Sequence, residues 1–212
     1  MSDESPTTFY QGSPERVFRL GDVVTGFILG VADVDAPAHA PMDYLIRIKR
    51  PRYAAIVTPC CSVGDKTLAL APLVTIKPDW LDNPYLREDL LRVNSKMTFE
   101  QAAPPNLPPE ERERRRALHA GRAFGFFEYF VYAPHASLPP CPVKRQGGEI
   151  PVSHYMVDFR MIHRVESRSI QKGAGVPIGA KVLQLSISAR QSLREKLAHY
   201  FGRVPQEDQM QM

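Results

Sequence analysis

The chain has 212 residues, enough for one ordinary domain with its own apolar core. Hydrophobic residues make up 43% and charged residues 24%, which excludes wholesale disorder. The 20 prolines, about 9% of the chain against an average of about 5%, exclude long uninterrupted helices. No apolar run approaches the roughly 18 residues of a membrane span, and the acidic start Met1-Ser2-Asp3-Glu4 is unlike a signal peptide.

In chain order, residues 1–15 are polar and aperiodic and are expected to form a flexible leader. Residues 16–32 (RVFRLGDVVTGFILGVA) are β-branched and aromatic, with Gly21, Gly26 and Gly30 marking bends; they predict a strongly bent strand or strand pair. After the Pro/Ala/Asp loop 33–43, YLIRIKR alternates, which predicts a half-buried strand with Tyr44, Ile46 and Ile48 inward and basic residues toward water. YAAIVT (Tyr53 to Thr58) is almost wholly apolar and predicts a central strand. The turn Pro59 to Lys66 returns the chain into TLALAPLVTI, an antiparallel partner whose Pro72 marks an edge or bulge.

Asn83 and Pro84 predict a helix start. Leu86, Leu90, Val93 and Met97 then form one apolar stripe, predicting a helix over 83–101. Prolines 104–109 end it. The charged segment 110–122 predicts an exposed helix with acids at its start. Phe124 to Ala133 predicts a core strand, 134–151 a loop, and 154–162 a further strand. After the glycine-rich 172–180 come a short strand (Val182 to Leu185) and a final helix. Its expected features are a Ser188/Gln191 capping box, a buried stripe of Leu193, Leu197, Tyr200 and Phe201, and Gly202 as C-cap. Six or seven short strands, two or three helices and no βαβ rhythm predict α+β with a small, mainly antiparallel barrel or bent sheet. The organisation is a single domain over 16–204 with a helical insertion near 83–122, and a flexible tail over 205–212.

The net charge of +4 hides an asymmetry. Residues 1–43 hold seven acids and two bases; residues 160–203 hold nine bases and two acids. The basic end would attract RNA or an acidic protein partner, or else complement the chain's own acidic end. Three cysteines (Cys60, Cys61, Cys141) without a signal-like start predict a reducing, cytoplasmic setting and no disulfide framework. A zinc site would need Cys141 with His135 or His154 beside the Cys60-Cys61 pair; the spacing does not demand one, and no metal or cofactor is expected. Phosphate-loop, dinucleotide and esterase motifs are absent from the sequence. Glu128 and Asp158 are candidate tuned carboxylates, expected by strand alternation to face water. Arg190, Arg194 and Lys196 on the last helix, with Arg160, Arg164 and Arg168, form a candidate phosphate-gripping patch, and Tyr44, Tyr53 and Tyr85 could stack on bases.

Gly21-Asp22-Val23-Val24, then RPRYAAIVTP (Arg50 to Pro59), then TLALAPLVT (Thr67 to Thr75) resembles the opening strands of the PemK/MazF toxin family. That resemblance covers about a quarter of the chain. It implies an SH3-like barrel, a homodimer, and a bacterial toxin–antitoxin or defence setting. It also implies cleavage of single-stranded RNA, with Arg50 or Arg52 stabilising charge at the phosphate and Thr75 near the attacking 2′-hydroxyl. The chain departs from the family in the loop before Arg50-Pro51 and in its length. The reading is therefore an RNA- or protein-binding barrel, with the endoribonuclease as one alternative and a structural or assembly protein as another.

Overall fold

The computed structural model describes residues 8–26, 29–32, 46–58, 67–104, 106–120, 123–145, 147–166 and 181–202. The fold is mixed α+β with antiparallel strand pairing, and among the described residues the strands do not close into a barrel. The chain divides into two compact units. A sheet unit comprises Tyr10–Leu73 and Met161–Ser186; a helical unit comprises Met1–Phe9, Val74–Arg160 and Ile187–Met212.

In the sheet unit, β1 (Val23–Val24), β2 (Leu29–Ala32), β3 (Ile46–Lys49) and β4 (Ala54–Ile56) precede β5 (Thr67–Thr75), whose last two residues belong to the helical unit. β10 (His163–Glu166) and β11 (Lys181–Leu183) complete it. The apolar run after Pro51 is central, as its composition predicts: Ala55 lies opposite Val23 on one side and Ala71 on the other. Pro72 sits inside this ladder, opposite Ala54. The Leu73 N–H donates to the Tyr53 carbonyl at 2.9 Å, which makes Ala54–Pro72 a non-hydrogen-bonded pair. The N–H that proline lacks would point away from β4, so the ladder loses nothing. β1 also pairs with β11, and β10 with β5. Val24, Leu29, Ala54, Ile56 and Leu70 form the core. Gly21 and Gly26 adopt φ of 83° and 79°, placing two of the three predicted bends near the ends of β1, whereas Gly30 lies inside β2.

The expected leader is anchored from Tyr10 onward. Tyr10 bridges to Leu185, and the Gln11 N–H donates to the Gln184 carbonyl. Lys181 Nζ stands 2.7 Å from the fully buried Asp22 carboxylate and donates to the Glu15 and Val17 carbonyls and to Gln184 Oε1. One base of the basic end thus complements one acid of the acidic end. Ile48, expected inside, is exposed on the two-stranded β2–β3 sheet.

In the helical unit, the predicted helix over 83–101 is three short pieces: α1 (Pro84–Arg87), a 3-10 turn at Leu90–Asn94 and α2 (Phe99–Ala102). The stripe Leu86, Leu90, Val93 and Met97 is buried as expected. The helix is interrupted because two further caps restart it: Asp89 accepts from Leu91 N, and Thr98 with Gln101 makes a capping box. α3 (Pro109–His119) is the exposed, ion-paired helix expected there. β6 (Tyr129–Tyr132) is wholly buried; the preceding Phe124–Glu128 is turn rather than strand. β7 (Cys141–Arg145) and β8 (Gly148–Val152) form a hairpin inside the region predicted as loop. β9 (Tyr155–Asp158) pairs with β6. α4 (Ile187–Phe201) begins before Ser188, which is therefore no cap. Its Leu193, Leu197 and Tyr200 are buried, but Phe201 is exposed and Lys196 takes the inward place.

Candidate functional site

A cleft of about 200 Å³ opens within the helical unit, walled by the 3-10 turn Pro78–Leu81, α2, α3, the turn 125–128 and the start of β6. Five aromatic side chains line it: Trp80, Phe99, Phe126, Phe127 and Tyr129. Lys77, Arg115 and His119 supply basic groups, and Asp79 and Glu128 supply carboxylates. Local caps hold the walls. Asn83 accepts from Tyr85 N at 2.9 Å to start α1 and donates to the Gln101 carbonyl at 3.1 Å, tying α1 to α2. Glu100 on α2 grips Arg112 and Arg116 of α3 at 3.0 and 2.6 Å. The rings support one another: Trp80 lies 5.1 Å from Phe126 and 5.3 Å from Tyr129, and His119 lies 5.4 Å from Phe99 and 5.8 Å from Phe127. Gly125 forms part of the wall because a Cβ there would stand 2.4 Å from Ala102 Cβ.

One edge of the cleft is a polar hub on Tyr129. Its hydroxyl accepts from Lys77 Nζ at 2.5 Å and from Arg160 Nη2 at 2.6 Å. Arg160 in turn clamps Asp158 through Nε at 2.9 Å, Nη2 at 2.6 Å and its backbone N–H at 3.0 Å. Its Nη1 lies 3.6 Å from Glu128. Burial, and next the Glu128 charge, push the Tyr129 hydroxyl well above its ordinary pKa. Burial and the neighbouring Arg160 lower Lys77. Burial acts to raise Asp158, but its bonds to Arg160 outweigh this and hold the carboxyl below its usual range. The expectation that Asp158 faces water is corrected: it is buried and ion-paired.

No family profile, curated protein or solved structure matches the chain.

The residues singled out from sequence fall in both units. Arg50 and Arg52 are surface residues of the sheet unit, Arg52 lying over the Tyr53 ring at 5.3 Å; Thr75 is exposed at the end of β5, in the helical unit. Arg164 is exposed on β10, and Arg168 lies outside the described residues. On α4, Arg190 is half-buried and Arg194 is exposed and bonded to Gln191. Lys196 is not on the phosphate-gripping face. It is fully buried, and its amine donates to the Val93 carbonyl at 2.5 Å. Position 196 falls three residues after Leu193 and four before Tyr200, on the inward stripe, so periodicity placed it inside while its charge suggested the surface. Tyr53 is buried, Tyr85 is half-buried beneath Arg92, and Tyr44 lies outside the described residues.

Cys141 is half-buried, with its thiol 3.6 Å from the Val152 carbonyl, and Cys60 and Cys61 lie outside the described residues. Among the described residues, no group of three or more His, Cys, Asp or Glu side chains is placed to hold a metal ion, and no helix is long and apolar enough to cross a membrane. Sequence reasoning missed Lys77, Phe99, Arg115, His119 and Phe126. Their convergence is tertiary, and no local spacing announces it.

Proposed function

We propose that the chain is a nucleic-acid-binding module for single-stranded RNA, and that the cleft of the helical unit holds an unpaired base. The observation that carries this reading is the convergence of aromatic rings with Lys77 and Arg115 on one small cleft. Base–aromatic stacking is worth about 1–3 kcal/mol per base, and a cation at the mouth meets the backbone phosphate. Arg115 commits its Nε to Glu111 at 2.6 Å, which leaves the rest of the guanidinium fork for a phosphate. At about 200 Å³ the cleft is smaller than the roughly 300–1,000 Å³ of drug-sized sites, a size that suits one base rather than a duplex.

The neighbouring β1, β4 and β5 support a finer reading of the sheet unit as PemK/MazF-like and SH3-like. A toxin–antitoxin or defence setting, and a homodimer, follow from that resemblance alone. The test is titration of purified protein with fluorescent single-stranded RNA over a range of salt. Binding should weaken with salt, and Arg115→Ala should reduce the slope of log K against log salt by about 0.7, one phosphate contact to a single strand. Phe99→Ala should weaken binding by about 1–3 kcal/mol. Salt-independent or undetectable binding refutes the module. RNA cleavage that Arg50→Ala or Arg52→Ala abolishes would instead favour the endoribonuclease alternative.

A further inference from the structure

The cleft carries a carboxylate that RNA affinity does not need. Anionic groups repel phosphate, yet Glu128 lines the site, half-buried, beside Phe126 and Tyr129. Arg160, its ion-pair partner, stands at 3.6 Å, beyond a good hydrogen bond. A carboxylate offers about four acceptor positions, so Glu128 keeps acceptor capacity for a ligand even with Tyr129 and Arg160 beside it. An acceptor-only group inside an aromatic cleft selects a planar ligand with adjacent N–H donors on one edge. Among the four RNA bases, guanine alone presents two such donors side by side, N1–H and the 2-amino group. Adenine, cytosine and uracil each place an acceptor next to any donor on that edge.

We propose that the cleft selects an unpaired guanine of single-stranded RNA, with Glu128 accepting from guanine N1–H and the 2-amino group while the base packs on Phe99 and Phe126. These two rings are only half-buried and so keep surface for a base, whereas Trp80 and Phe127 are buried. This inference rests on the module reading and adds base selectivity to the same site. Well-placed paired hydrogen bonds discriminate between bases by on the order of 10- to 100-fold.

The experiment measures binding of labelled pentanucleotides UUGUU, UUAUU and UUIUU, where I is inosine, which retains N1–H but lacks the 2-amino group. Guanosine 5′-monophosphate serves as competitor. The expected order is UUGUU tightest by at least about tenfold, UUIUU intermediate and UUAUU weakest. The ligand series leaves the protein untouched, so folding cannot confound it. Glu128→Gln replaces one acceptor by a donor, which matches the adjacent donor and acceptor of adenine. It should abolish the guanine preference and raise relative affinity for UUAUU, a reversal that loss of structure cannot produce. Equal affinity for all three pentanucleotides overturns the guanine subsite and leaves the module intact; binding of none overturns the module itself. If guanosine 5′-monophosphate binds as tightly as UUGUU, the RNA chain is not the ligand and the RNA assignment falls to a free guanine nucleotide.

Discussion

Asn94 caps an edge of β6 on which, among the described residues, no strand pairs. Its Nδ2 donates to the Val131 carbonyl and its Oδ1 accepts from the Val131 N–H, both at 2.7 Å. Val131 is fully buried in β6, which pairs with β9 on its other side. Asn94→Ala removes both bonds and leaves a buried donor and a buried acceptor. Each such group costs about 1–3 kcal/mol when unsatisfied, so the substitution should cost about 2–5 kcal/mol, toward the lower end where water refills the space. The chain has one tryptophan, Trp80, and it is 5% exposed in the core that contains Val131. Its fluorescence in a urea titration therefore reports on this unit. The expected result is a lower midpoint at unchanged slope. A loss under about 1 kcal/mol at the same slope would refute the claim that Asn94 closes the edge of β6.

Other perturbations test the remaining charge arrangements. Lys196 is buried and its folded-state pKa is pushed well below the ordinary lysine value by burial. The unfolded chain then binds the proton more tightly, so stability should rise with pH from the folded pKa up to about 10.4, and Lys196→Met should flatten that rise in pH-dependent denaturation. Asp158→Asn should cost about 1–2 kcal/mol, discounted because Arg160 is half exposed. The wild-type contribution is present above about pH 3.9 and is lost as pH falls through the lowered folded pKa; acid titration of the variant should lack that component. Lys181→Met removes the cation 2.7 Å from the fully buried Asp22, which keeps the Arg19 N–H as a donor, and should cost about 3–5 kcal/mol by circular dichroism; a neutral result would mean that water or another cation reaches Asp22.

Where one residue type carried an unambiguous local signal, sequence anticipated structure. The pairing of β4 with β5 was legible because two apolar runs flank a turn segment, and the Asn83-Pro84 helix start because cap and proline agree. The stripe from Leu86 to Met97 correctly marked a buried face but overstated helix continuity. Asp89 and the Thr98/Gln101 spacing are the restart signals, and an apolar stripe does not carry them. The β7–β8 hairpin was hidden by Pro142 and Pro151, which read as breakers but lie opposite each other, and by Gly147 and Gly148, whose positive φ makes the turn. The hub on Tyr129 was illegible for a different reason. Lys77 and Arg160 lie 52 and 31 residues from it in sequence, and no pattern of spacing encodes their meeting.

The rear wall of the cleft depends on a missing methyl. At Gly125 the next atom along the side chain would have to push Ala102 Cβ back from 2.4 Å to at least the 3.4 Å of ordinary contact, about 1 Å of travel for α2. Since Phe99 sits at the other end of that short helix, and Glu100 beside it grips Arg112 and Arg116, such a shift would carry a lining ring and the ion pairs to α3 with it. A lineage or an engineer could retune which rings fit this cavity by editing a residue that makes no hydrogen bond to its contents.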